Sequence, residues 1–275
     1  MWFDSHCHLD APEFSGDLGK VVERAKLSNL DGVLIPAVQA KDFDQVDKLV
    51  ESLANELPKT VFTLGIHPLF TNEANEADID VLAAKVDASM SNPRFVGIGE
   101  IGLDYFVTHL DNQKQEWFFE EQLKLANKFS LPVILHVRRS QDQILKRLRR
   151  IKVSGGIAHA FNGSFVQANN FLDLNFKLGF GGAMTYERAL QIRRLATELS
   201  LSAFVLETDS PDIPPAWLVD KDSRRNEPSY LEGIAKSMAA LRAISETELA
   251  QVIDANVCKV LPRWQALCES LQADI

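Results

Sequence analysis

Cysteine is scarce in this sequence, with three among 275 residues: Cys7, Cys258 and Cys268. Three thiols make no disulfide framework and point to a reducing compartment, so the expected location is cytoplasmic. No apolar run approaches the roughly 18 residues that a membrane span needs, and no membrane partner is expected. The opening stretch MWFDSHCHLD has no basic segment followed by an apolar one, so no signal peptide is expected. A glycine-rich phosphate loop after the first strand, the mark of a dinucleotide-binding fold, is missing. Basic residues are outnumbered, 29 Lys plus Arg against 38 Asp plus Glu, for a net charge of −9. That balance argues against indiscriminate binding to nucleic acid, yet it permits a polyanionic substrate that meets a locally positive site.

What is present is globular in composition. Hydrophobic residues make up 46% and charged residues 24%, which excludes disordered, collagen-like and fibrous chains. The length suits either two domains or one α/β barrel of about 250 residues. Short apolar runs predict strands at Trp2–Ser5, Gly32–Val38, Thr60–Ile66, Phe95–Ile101, Pro132–His136, Gly156–Ala160, Phe176–Phe180 and Ala203–Glu207. Amphipathic stretches at Leu18–Ser28, Asp42–Asn55, Gln113–Phe129, Gln141–Ile151 and Glu187–Leu199 alternate with them. A proline-rich loop, Ser210–Pro228, then leads to helices at Tyr230–Leu241 and Glu246–Val257. Apolar strands alternating with helices imply parallel β-structure covered on both faces, and eight strands close a (β/α)₈ barrel. No linker composition interrupts the chain. The expectation is therefore a single TIM barrel over residues 1–275, with an open doubly wound sheet as the alternative.

The six histidines are the most informative residues. His6 and His8 end the first predicted strand, His67 the third and His136 the fifth, while His159 lies near the end of the sixth. Glu100 lies near the end of the fourth, and Asp209 follows the eighth. In a parallel barrel these carboxyl ends share one face, so seven imidazole or carboxylate groups would converge there. His109 alone falls outside the pattern and reads as a solvated loop residue. Side chains alternate along a strand, so His6 and His8 point one way, with Asp4 and Asp10 on the same parity and Cys7 opposite as a small buried hydrophobe. Imidazoles plus carboxylates without thiolate suit catalytic Zn²⁺, Mn²⁺ or Mg²⁺ rather than a closed structural zinc site. The six candidates His6, His8, Glu100, His136, His159 and Asp209 are too many for one open ion and suit two. Glu100 can bridge them, and Asp209 can both ligate and accept a proton from an activated water.

Several segments resemble the TatD family of metal-dependent deoxyribonucleases: DSHCHLD at Asp4–Asp10, GIHP at Gly65–Pro68, GEIGLDY at Gly99–Tyr105, QLKLA at Gln122–Ala126, LPVILHVR at Leu131–Arg138, HAFNGS at His159–Ser164, ETDSP at Glu207–Pro211 and RNEP at Arg225–Pro228. They run in order over nearly the whole chain and are most similar to the YjjV-type bacterial members. The resemblance implies a TIM barrel of the metal-dependent hydrolase superfamily with two divalent cations. It implies that His6, His8 and Asp209 hold the first ion, that Glu100 bridges, and that His136 and His159 hold the second. It further implies that His67 meets a substrate phosphate and that Arg225 reaches a phosphate over the mouth. The chain departs from the family pattern at Ala160 and Asn162, at Phe106-Val107-Thr108-His109 after GLDY, and near Asn256, Lys259 and Leu261.

Arg138 and Arg139 follow the fifth predicted strand directly and are candidates for phosphate contact, and Asp104 and Tyr105 for supporting or substrate contacts. The basic run Lys146, Arg147, Arg149, Arg150 and Lys152 reads as a solvated helix face rather than a nucleic-acid stripe. The expected activity is 3′-to-5′ exonucleolytic hydrolysis of DNA by a hydroxide activated between two metals, with Asp209 and Glu100 as the catalytic carboxylates. The partner would be a DNA end or a small phosphodiester, with no obligate protein partner. The alternative is hydrolysis of a small ester, lactone or amide. A strand-end lysine that could be carboxylated to bridge metals, as that alternative would favour, is missing.

Overall fold

The computed structural model describes residues 2–219 and 224–273. Residues 220–223 of the expected proline-rich loop therefore lie outside the described residues. Eight parallel strands succeed one another in chain order around a barrel: β1 Trp2–Asp4, β2 Leu30–Pro36, β3 Val61–Leu64, β4 Phe95–Asp104, β5 Val133–Arg138, β6 Gly156–Ala158, β7 Phe176–Phe180 and β8 Phe204–Leu206. The ends of the sheet meet through three backbone bonds, from Ser5 N–H to Leu206 C=O (3.1 Å), His8 N–H to Ser210 C=O (2.8 Å) and Asp209 N–H to His6 C=O (2.9 Å). The (β/α)₈ expectation holds. The strands carry runs such as Phe-Val-Gly-Ile and Val-Ile-Leu because both of their faces are buried.

Helices α1 Leu18–Leu27, α2 Phe43–Leu53, α3 Ala77–Ser89, α4 Asn112–Phe129, α5 Gln141–Arg150, α6 Phe165–Asp173 and α7 Leu190–Glu198 lie between successive strands. α8 Leu231–Arg242, α9 Glu246–Val260 and α10 Pro262–Ala273 follow. Sequence patterning missed α3, α6 and α10. α3 buries only Leu82, Val86 and Ser89, which leaves a weak stripe to read. α6 is announced by its start instead: Ser164 accepts from Gln167 N–H, and the Gln167 side chain returns the bond to Ser164 N–H, a reciprocal cap.

α10 closes the amino-terminal end of the barrel. The Trp264 indole N–H donates to Lys59 C=O at 2.8 Å, and its ring meets Phe3 edge-on at 5.1 Å. Arg263 donates to the carbonyls of Met90, Asn92 and Phe95. Asn256, where the family pattern is blurred, ties α9 to β8 by donating to Leu201 and Phe204 carbonyls, both at 2.8 Å. Of the basic run, Lys146, Arg149 and Lys152 are exposed, as expected, whereas Arg147 is buried in an interhelical contact, pairing with Glu116 (2.6 Å) and Glu120 (3.2 Å), and Arg150 also pairs with Glu120.

Candidate metal centre

Every strand-end group anticipated from the sequence sits at the carboxyl face of the barrel, and Glu100 is at the middle. β4 carries an extra residue between Ile98 and Ile101 relative to β5, a bulge that re-aims the side chain at Glu100. The strand runs on to Asp104, beyond the expected Ile101, and so delivers a second carboxylate to the same face. Gly102 sits in the left-handed half of backbone space (φ +152°) against the backbone of His136, where a Cβ would fall 2.1 Å from the carbonyl oxygen. Glycine at this position lets β4 and β5 close up beneath the cluster.

The two oxygens of Glu100 serve two different sets of partners. Oε2 lies 3.1 Å from His6 Nε2 and 3.4 Å from His8 Nε2. Those two nitrogens are 3.2 Å apart, and Asp209 Oδ1 lies 3.5 and 3.8 Å from them. Oε1 lies 2.8 Å from His159 Nε2, 3.0 Å from His136 Nδ1 and 3.2 Å from His67 Nε2. A tetrahedral site with bonds of about 2.1 Å has ligand–ligand edges of about 3.4 Å, which is the spacing of these donor atoms. Facing imidazole nitrogens such as His6 Nε2 and His8 Nε2 can share one proton, or can both turn a lone pair to a cation between them. The residues present thus fit divalent cations, in groups His6–His8–Glu100, His6–His159–Asp209 and His67–Glu100–His136.

Electrostatics supports that fit. Burial pushes His6 well below its ordinary value and His67 down to about 4, so both rings keep free lone pairs. Burial also opposes charge on His8 and His159, but Glu100 and the other nearby carboxylates outweigh it and lift them to about 9 and about 10. Burial would raise Glu100 too, but His159, His67 and His6 hold it well below the usual carboxylate range. The cluster therefore gathers positive charge around Glu100, as protons or as cations.

Three findings revise the sequence reading. First, β1 ends at Asp4, so His6 and His8 lie beyond the strand, although their rings still converge. Asp4 does not share their direction: its oxygens accept from Thr208 N–H (3.0 Å), Thr208 O–H (2.6 Å) and His6 N–H (3.2 Å). Cys7 is fully buried, with its sulfur 3.0 Å from the Ser210 hydroxyl. Second, His67, expected at a substrate phosphate, stands among the donor atoms themselves. Third, Arg225 is engaged with Asp17 (2.7 and 2.8 Å), Glu227 (2.8 Å) and the Glu13 carbonyl (2.7 Å), and Arg24 joins the same Asp17–Glu227 network. In RNEP it is Asn226 that touches the site loop, donating to the carbonyls of Thr208 (2.8 Å), Asp212 (2.9 Å) and Ile213 (3.2 Å). His109 is exposed, as expected.

Supporting carboxylates complete the centre. Asp104 Oδ2 lies 3.1 Å from His136 Nε2 and fixes that ring with its other nitrogen on Glu100. Against the penalty of burial, His136 and the Val107 and Phe106 N–H groups hold Asp104 down to about 2. Glu207, not singled out from the sequence, lies 3.8 Å from His159 Nδ1 and accepts from Ala160 N–H at 2.5 Å. Burial pushes it up to about 8. Its place depends on Gly179 of β7, where a Cβ would fall 2.0 Å from Glu207 Oε2. The signal was available in ETDSP, two residues before Asp209. Ala160 (φ +45°), Asp209 (φ +57°) and Arg139 (φ +55°) all hold left-handed conformations that non-glycine residues rarely adopt, and such outliers gather at functional sites.

Known proteins are similar to this chain over almost its entire length. The sequence profile of the family described as TatD related DNase matches residues 3–262. The metal-dependent hydrolase YjjV of Escherichia coli K12 is 34% identical over 253 residues, covering 92% of this chain and 94% of YjjV. A Klebsiella pneumoniae protein named 3′-5′ ssDNA/RNA exonuclease TatD is 32% identical, covering 93% of this chain and 95% of its own. The crystal structure of the E. coli YjjV protein superposes with a TM-score of 0.86 at 33% identity, covering 95% of this chain and 98% of that one.

Proposed function

The chain belongs to the TatD-related DNase family of metal-dependent hydrolases, and from that premise we propose that it hydrolyses phosphodiesters at a DNA strand end, in the 3′-to-5′ direction, with two divalent cations (Mg²⁺, Mn²⁺ or Zn²⁺) at Glu100. The observation that carries the reading is the division of the two Glu100 oxygens between two sets of donor atoms. His6, His8, Glu100 and Asp209 would hold one cation; Glu100, His136 and His159 the other, with His67 beside them. Bound cations supply Lewis acidity towards a phosphoryl oxygen and lower the pKa of water to near neutrality.

The remaining chemistry belongs to the chain. Burial raises the Asp209 carboxyl above its ordinary value, which makes it the better proton acceptor for an attacking water. Glu100, fixed in the β4 bulge, orients both donor sets and stays ionised. Asp104 holds His136 from behind, and Glu207 lies 3.8 Å behind His159. Arg138, exposed at the rim, faces the negative charge that a phosphate brings, while His67 stays buried beside the donor atoms.

The test is release of mononucleotides from single-stranded DNA in the presence of Mg²⁺ or Mn²⁺. Metal-dependent release supports the reading. Hydrolysis of a small ester, lactone or amide with no nucleotide release removes the nuclease assignment and leaves a hydrolase of another substrate.

A further inference from the structure

One aromatic side chain stands out at the rim. Phe106 lies two residues beyond the end of β4, on the same face as the metal centre, and is 44% exposed. The guanidinium carbons of Arg138 and Arg139 lie 3.9 and 4.7 Å from its ring centroid. Both arginines are exposed, at the end of β5 and just beyond it. Among the described residues no carboxylate lies within ion-pair distance of Arg139, and Arg138 has only Asp104 at 3.8 Å. Two guanidinium groups therefore gather at an exposed ring at the mouth of a protein whose net charge is −9.

The rim is tied to the centre by one buried carboxylate. Asp104 Oδ1 accepts from Phe106 N–H (2.8 Å) and Val107 N–H (3.0 Å), and so fixes the turn that presents the ring. Its Oδ2 meets His136 Nε2 at 3.1 Å. Tyr105 N–H donates to Arg138 C=O at 2.9 Å and locks this turn to β5. Arg139 keeps φ +55° to lie beside the ring. Neither barrel packing nor metal ligation needs an exposed phenyl group here.

We infer that Phe106, with Arg138 and Arg139, forms the platform on which a nucleobase next to the scissile phosphodiester stacks while the guanidinium groups meet the flanking phosphates. The inference rests on the phosphodiesterase reading and deepens it: the substrate is a polynucleotide end, read through the π-face of a base, rather than a bare phosphodiester. Any base offers such a face, so the platform discriminates base from no base and not one base from another.

The experiment compares the wild type, Phe106→Ala and Phe106→Trp on two substrates. One is a single-stranded oligothymidylate; the other is the same strand with abasic tetrahydrofuran residues at its 3′ end. The wild type is expected to prefer the base-bearing strand. Phe106→Ala should raise KM for that strand about 5- to 100-fold, with kcat moving far less, and should erase the preference; Phe106→Trp should restore it. Fluorescence anisotropy with Ca²⁺ in place of Mg²⁺ should show the same loss in affinity. Equal effects of Phe106→Ala on both strands, or no effect on either, overturn the platform while leaving the phosphodiesterase reading in place. A wild type that hydrolyses methyl 4-nitrophenyl phosphate but shows no base preference does the same. A wild type inert towards every phosphodiester removes both.

Discussion

Glu100 is the residue on which the centre depends most directly, because each of its oxygens is the neighbour of a separate group of nitrogens. Glu100→Gln keeps the volume but replaces one oxygen by a donor that faces other donors. Bound metal per chain should fall to one ion or none, and turnover by about 10³-fold or more, on the scale of losing a group that acts in the transition state. Metal analysis beside kinetics checks this; two ions retained with normal turnover would exclude the bridge. A second single-residue prediction lies far from the metals. Asp254 in α9 has a buried Oδ1 without a hydrogen-bond partner, and burial, with Asp31 adding to it, pushes its carboxyl up to about 6. A carboxyl raised above its unfolded value favours the fold below about pH 4 and loses that contribution as pH rises through about 6. Asp254→Asn should therefore stabilise the protein by on the order of 1–2 kcal/mol at pH 8 and by little at pH 4. Urea denaturation at both pH values measures the difference.

At the scale of elements, the loop after β8 matters because it carries Asp209 into the centre with a left-handed backbone. Asn226 holds it by reaching three carbonyls from a fully buried position. Asn226→Ala leaves those acceptors without that donor and is expected to cost about 1–3 kcal/mol. Activity should fall too, through displacement of Asp209, although no donor atom of the centre is removed. Thermal melting together with kcat tests this, and a variant that melts normally and turns over normally would refute the brace. The elements themselves were legible to different degrees. β7 was read to its exact ends because Phe176–Phe180 is bounded by polar residues and glycine. β1 and β6 proved shorter than expected, since His6, His8 and His159 leave the ladder to converge. β4 proved longer, and neither its bulge nor the role of Asp104 as a ring anchor has a local sequence pattern.

At the scale of the whole molecule, stability and metal content are linked. Ions that bind the fold and not the unfolded chain should raise Tm, by an amount equivalent to about 2.7 kcal/mol at a hundredfold excess over Kd. The linkage has a pH sign. His8 and His159, raised to about 9 and about 10, stabilise the metal-free fold fully below about pH 6.5, and that contribution is lost as pH rises through those values. Metal must displace the same protons, so its affinity should strengthen as pH rises from 6 to 9. The gap in Tm between metal-loaded and chelator-treated protein is therefore expected to widen over that range. Calorimetry in buffers of different ionisation enthalpy should register proton release on binding; a gap that narrows with rising pH would contradict this account. An acidic net charge is compatible with a cationic rim: Arg138 and Arg139 at Phe106, with any cations bound at Glu100, would set the local field that an anionic substrate meets.

The sequence by itself determined the barrel, its family and the residue types gathered at its mouth. Alternating apolar strands and helices permit few layered solutions, and histidines at several strand ends must share a face once the strands run parallel. Ordered motifs from DSHCHLD to ETDSP carried the family in the same way. Only the tertiary structure decided what each group faces. It moved His67 in among the donor atoms, turned Asp4 to Thr208, and engaged Arg225 with Asp17 and Glu227. It also set Glu207 behind His159 and gathered Arg138 and Arg139 at the Phe106 ring. These assignments depend on distances of a few ångströms between residues up to two hundred positions apart, and strand ends, bulges and left-handed turns set those distances without a local pattern to announce them.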